Sequence, residues 1–125
     1  MESNTFFNHD TDEEIIHVKR TQELDVWISH LSYVTDESDW LAKIASNKLN
    51  DKALRDLLLE ESEQNASILN ELYNYRTSIV KYNECDDLEC DVYYINLHDT
   101  YLSKYVKHID SYRKIKNEVY LKILM

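Results

Sequence analysis

Residues 24–45 read LDVWISHLSYVTDESDWLAKIA. In this stretch Leu24, Trp27, Leu31, Val34, Ser38, Leu41 and Ala45 recur at spacings of three and four, with Ile28 and Ile44 beside them. Residues so spaced stack on one face of an α-helix, so the stretch predicts a long amphipathic helix. Thr35-Asp36-Glu37 has the chemistry of a fresh helix start. The apolar row nevertheless crosses it in phase, and a single helix is expected over about 13–48. Upstream, Thr11 and Glu14 form a capping box, and Asp12 and Glu13 suit the positive end of the helix dipole. Residues 1–10 show no periodicity and read as a mobile tail.

The rest of the chain repeats the pattern twice. Asn47, Asn50 and Asp51 mark a first corner, because Asn and Asp tolerate the left-handed conformation that glycine usually takes. Leu54, Leu58, Glu61, Asn65, Ile68, Leu72, Tyr75, Ile79 and Tyr82 then predict a second helix over 51–82. A second corner follows at residues 83–87, where Asp86 and Glu89 form another helix start. Leu88, Val92, Ile95, Asp99, Leu102, Val106, Ile109, Arg113, Lys116, Tyr120 and Ile123 predict the core row of a third helix over 87–123. Long helices joined by short loops must run antiparallel. The expected fold is all-α: an elongated up-down-up antiparallel three-helix bundle, about 50 Å long at 1.5 Å per residue, forming one domain over 11–125.

Composition supports this and limits the chemistry. The 125 residues include no glycine and no proline, where average usage would supply roughly nine and six. Gly-rich phosphate loops, nucleophile elbows and glycine hairpins are thereby excluded. Asn, Lys, Ile and Tyr are abundant and Ala and Arg scarce, a bias that AT-rich coding also produces. Net charge is −10, from 24 acidic against 14 basic residues. Such a chain repels nucleic-acid phosphates and anionic membranes as general partners. Its start, MESNTFFNHD, has neither the basic nor the apolar segment of a signal peptide. With two cysteines and no disulfide framework, the expected location is a reducing cytoplasm. Basic residues gather at the end, where 101–125 hold Lys104, Lys107, Arg113, Lys114, Lys116 and Lys122 against Asp110 and Glu118.

The segment Leu24-x-x-Trp27-x-x-x-Leu31, then Asp36-Glu37 and Trp40-Leu41, resembles the first helix of small three-helix proteins from Bacteroidetes. His98-Asp99 and the ending from Tyr112 through Glu118 and Tyr120 extend that resemblance over 20–124. It implies the same fold, and it lends no catalytic residue.

Three constellations could carry chemistry. Antiparallel matching sets Ser38 level with Ser62 and brings Glu61, Asn65 and Arg113 within a turn of one another on the apolar rows. Glu61 there needs a partner, expected to be Arg113, Tyr112 or His108, because an unpaired buried carboxylate is costly. The layer is a register-fixing ion pair or the lining of a polar cavity. A second polar layer holds His98 and Asp99 near residues 72–76 and near His30; adjacent residues on a helix diverge too far to orient each other. Third, Glu14 and His17 have the i, i+3 spacing of carboxylate metal sites and fall level with Cys85 and Cys90. One Glu-x-x-His pair is half of a di-metal set, and no cofactor is expected. No nucleophile, base and oxyanion site coincide, so an enzyme is not expected. Ten tyrosines, six of them at Tyr93, Tyr94, Tyr101, Tyr105, Tyr112 and Tyr120, suit a protein-binding face. The expected function is a small acidic helical interaction module, binding a protein partner or forming a homodimer through its first or third helix. A metal- or small-ligand-binding bundle and an acidic nucleic-acid mimic are the alternatives.

Overall fold

A computed structural model describes residues 9–79 and 87–125, and the side chains of all of these except 9–11 and 13. Three helices account for them: α1 (His9–Asn47), α2 (Lys52–Ile79) and α3 (Leu88–Leu124). There is no strand among the described residues. The fold is the expected up-down-up bundle. Helix α1 starts four residues before the expected position 13, so His9 and Asp10 belong to it rather than to a tail. The rest of the expected tail, and the expected end of the second helix at 82, lie outside the described residues.

Helices α1 and α2 form the apolar half of the core. Leu24, Leu31, Val34, Leu41 and Ala45 bury fully or nearly so against Leu54, Leu58, Ile68, Leu72 and Ile79. Burial of each large side chain contributes about 1.5–3 kcal/mol before entropy is set against it. Helix α1 passes Thr35 without a break. The Thr35 hydroxyl donates to the Leu31 carbonyl at 3.2 Å and Ser38 donates to the Thr35 carbonyl at 3.2 Å. Both hydroxyls bond back into the helix that contains them instead of capping a new one.

The first corner uses the expected residues. Asn50 takes a positive φ of 51°, the left-handed conformation in which Asn stands in for glycine. The Leu49 and Asp51 amides donate to the Ile44 and Ala45 carbonyls at 3.1 and 2.9 Å, which satisfies the end of α1. Asp51 then caps α2, accepting from the Leu54 amide at 3.0 Å. It also receives Lys122 from the far end of α3. Lys122 and the backbone amides hold the Asp51 carboxyl below the usual carboxylate range. At the other corner the cap of α3 is Asp87, which accepts from the Cys90 amide at 2.8 Å. Asp86, expected in that role, lies outside the described residues.

Helix α3 departs from expectation in its rotation. Its core-facing row is Tyr94, His98, Tyr101, Tyr105, His108, Tyr112, Ile115 and Val119, all buried or half-buried. Of the expected core row, Leu88, Val92, Ile95, Asp99, Leu102, Val106, Arg113, Tyr120 and Ile123 are exposed. Only Ile109 is buried and Lys116 half-buried. Both rows repeat at three and four, and the helix presents the Tyr/His row to its neighbours.

Candidate functional site

That rotation makes the docking of α3 largely polar. Glu23, His30 and Glu37 recur every seven residues on α1 and face His98, Tyr105 and Tyr112, which recur every seven on α3. His98 Nε2 lies 2.8 Å from Glu23 Oε1, and His98 Nδ1 lies 2.6 Å from the Tyr75 hydroxyl. A carboxylate only accepts, so in the neutral ring Nε2–H donates to Glu23 and Nδ1 accepts from Tyr75. His30 Nδ1 meets the Tyr105 hydroxyl at 2.6 Å. Tyr112 donates to Glu37 at 2.7 Å, and Lys116 reaches both oxygens of Glu37 at 3.0 and 3.1 Å. The Trp27 indole packs on the rings of His98 and Tyr105, with centroids 4.9 and 5.6 Å apart. Constant register over two heptads means that α1 and α3 run parallel. Burial pushes the Tyr75 and Tyr112 phenols well above their ordinary range, and for Tyr112 the Glu37 carboxylate adds to it. Both remain neutral donors.

One polar layer crosses all three helices. Asn65 is fully buried. Its Nδ2 donates to the Leu31 carbonyl at 2.8 Å and to Thr35 Oγ1 at 3.0 Å, and its Oδ1 lies 2.8 Å from His108 Nε2. Both amide hydrogens are therefore used on α1, and the amide oxygen can only accept from His108. His108 Nε2 carries a proton, and in the neutral ring Nδ1 presents a bare lone pair. Facing it at 3.9 Å is Glu61 Oε1, on a side chain only 14% exposed. Neither atom has a hydrogen-bond partner. Glu61 Oε2 accepts from Ser111 at 3.2 Å. Burial raises the Glu61 carboxyl and lowers the His108 imidazole, and nearby His30 lowers the latter further. Above the pair opens a cleft of about 590 Å³ between α2 and α3, lined also by Glu60, Glu71, Lys104 and Lys107.

The expected members of these layers are partly regrouped. Glu61 and Asn65 meet through His108, one of the expected partners. Arg113 is exposed and not a member of the layer, because the rotation of α3 that buries Tyr112 turns Arg113 outward. Ser38 is buried one turn away and connects through the Thr35 carbonyl. In the second expected layer His98 is buried at the expected level of α2, while Asp99 is exposed for the same reason as Arg113. His30 sits with Tyr105, two turns from His98, so the two histidines belong to separate rungs. Tyr112, an expected partner of Glu61, bonds Glu37 instead, and Tyr105, expected on a protein-binding face, turns inward to His30. Tyr75, Glu23, Glu37 and Thr35 are site members that the sequence pattern does not mark. The spacing of Tyr94, His98, Tyr101, Tyr105, His108 and Tyr112 reveals the two members on α3, Tyr105 and Tyr112, and none of those on α1 and α2.

The proposed metal quartet is not assembled as expected. Cys90 is disulfide-bonded, so its sulfur does not offer the thiolate that a zinc site uses. Cys85 lies outside the described residues, Glu14 is exposed and His17 half-buried. Among the described residues no three His, Cys, Asp or Glu side chains converge to hold a metal ion. The disulfide also removes the support that the cysteines lent to a reducing compartment. Among those residues no helix is long and apolar enough to cross a membrane.

The outer face of α3 is the other notable surface. Leu88, Val92, Ile95, Leu102 and Val106 are between 40% and 75% exposed, at the spacing of a coiled-coil seam. Of the basic cluster, Lys104 reaches Glu71 of α2 at 2.6 Å, while Lys116 reaches Glu37 and Lys122 reaches Asp51. Three of its six cations thus serve structure, though only Lys104 does so with an α2 carboxylate. No known protein family, curated protein or solved structure matches this chain.

Proposed function

We propose that the protein is a small acidic helical interaction module that pairs with a second copy of itself through the aliphatic row of α3. The observation that carries this is the exposed Leu88–Val92–Ile95–Leu102–Val106 seam. A 3–4 repeat of aliphatic side chains on a helix already docked by another face has the pattern of a seam awaiting a second helix. Charge favours a second copy, arranged antiparallel. The first third of α3 carries Glu89, Asp91 and Asp99 with no basic residue, and the remainder carries the six cations against Asp110 and Glu118. Antiparallel pairing sets each acidic end beside a basic one. With the two-fold centred on Val106, Asp99 comes level with the second copy's Arg113, and Val92 with its Tyr120. Closed two-fold pairing also covers the seam completely, without leaving a surface for further growth.

Sedimentation equilibrium on the native chain and on Leu102→Glu tests the proposal. The native protein should have twice the chain mass of 15.0 kDa at about 50 μM, a concentration that populates any dimer of micromolar Kd. Leu102→Glu, whose side chain lies outside the bundle core, should be a folded monomer. A native monomer, or a dimer unaffected by the charge, contradicts it.

A further inference from the structure

The cleft between α2 and α3 ends on two buried atoms that face each other and both accept. His108 Nδ1 is a bare lone pair because the Asn65 amide fixes the proton on Nε2. Glu61 Oε1 is the unpartnered oxygen of a carboxylate whose other oxygen is bonded to Ser111. Two acceptors 3.9 Å apart are satisfied by a donor placed between them. Each has less than 1 Å² exposed, so a donor in the cleft reaches them as the Glu61 side chain, 14% exposed, turns toward it. We propose that this cleft binds a small alkyl primary ammonium ligand, whose nitrogen donates to Glu61 Oε1 and to His108 Nδ1.

Geometry favours an ammonium over a metal ion. At ordinary hydrogen-bond lengths a nitrogen touching both acceptors subtends about 85–90°, close enough to the tetrahedral spread of its N–H groups for two good bonds. A zinc ion bound at its usual lengths would have to sit nearly between the atoms, at about 140°, far from tetrahedral. Two protein donors are also too few for a structural metal site. Charge points the same way by one unit: Glu60, Glu61 and Glu71 line the cleft against Lys107 and Lys104, the latter already bonded to Glu71. A cation therefore enters a cleft with carboxylates in excess. Ile68 on its wall offers apolar contact to a short alkyl chain. The volume, about 590 Å³, lies within the range of small-molecule pockets.

The test follows the His108 ring signals by NMR during titration of the native protein with n-butylammonium, with tetramethylammonium as a control of equal charge but no N–H. The expected result is a saturable shift with n-butylammonium in the ~1–10 mM range, none with tetramethylammonium, and loss of the response in Glu61→Gln. No saturable shift, an equal shift with tetramethylammonium, or a response that survives in Glu61→Gln would overturn the proposal. Should Glu61→Gln fail to fold, the two cations on the native protein decide alone. A response to neither cation means that the two acceptors are bridged by water only, which also overturns it.

Discussion

Asn65 uses every hydrogen-bonding atom it has: two donors to α1 and one acceptor to α3. Removing it leaves a buried imidazole N–H and the Thr35 hydroxyl short of a partner and opens a small cavity. Asn65→Ala should therefore cost about 2–4 kcal/mol, read as a lower urea midpoint with an unchanged slope. Glu61 makes the opposite prediction. Its carboxyl is held above the ordinary range, chiefly by burial, so its protonated form favours the folded state. That contribution is complete below the ordinary carboxylate pKa and is lost as pH rises through the folded value. Glu61→Gln should raise the melting temperature at pH 7 and lose that advantage by about pH 4. The histidines have the reverse sign. Burial holds His108 and His30 below the ordinary range, and for His30 the cations of Arg113 and Lys116 outweigh the opposing Glu37. Their contribution is present above about pH 6.5 and is lost as pH falls through the folded values. In Glu61→Gln, which removes the opposing carboxyl, melting should drop steadily from pH 7 to pH 5. A flat profile there contradicts the burial of the two imidazoles.

At the scale of the element, the corner at Asn50 and the rotation of α3 illustrate what sequence can and cannot specify. The corner was legible because few residues adopt a φ of 51° without strain. Asn50→Gly should be close to neutral, and Asn50→Val should cost about 1–2 kcal/mol by chemical denaturation. Helix α1 was legible because its apolar row has no rival, and continuity through Thr35 followed from that row. Helix α3 carries two rows at the same spacing. Ranking by hydrophobicity selects Leu88, Val92, Ile95, Leu102 and Val106, yet the bundle buries the tyrosines and histidines. A buried Tyr or His has a large apolar body and a polar tip, and it is stable in a core when the tip has a partner. Those partners, Glu23, His30, Glu37, Asn65 and Tyr75, sit on other helices. The winning row therefore depends on pairings across the bundle, which no single-helix pattern contains. Misplacement of Arg113 and Asp99 follows from this one rotation. Glu61 and Asn65 were legible because they lie on α2, where polar residues interrupt an otherwise apolar row.

For the whole molecule, the outcome is a division of labour between helix faces. An apolar hairpin of α1 and α2 supplies most of the hydrophobic stabilisation, and α3 docks on it through a bonded Tyr/His ladder. The aliphatic face of α3 stays exposed, and it is the face on which the proposed second copy would pack. In a chain with net charge −10, pairing that sets the basic end of α3 on its acidic end lowers repulsion between copies at close range. Self-association should accordingly weaken as salt rises, because the Debye length falls from about 10 Å at 0.1 M to 3 Å at 1 M. The rotation of α3 is the claim on which the rest depends. The most direct test mixes isotope-labelled and unlabelled chains and records nuclear Overhauser contacts within and between copies. Expected are intrachain contacts from the Tyr105 and His108 rings to Trp27 and Asn65, and contacts across to another helix from the Leu102 and Val106 methyls only to α3 of the other copy. Intrachain contacts from Leu102 and Val106 to Leu31 and Leu72, with the Tyr105 ring in solvent, would contradict it.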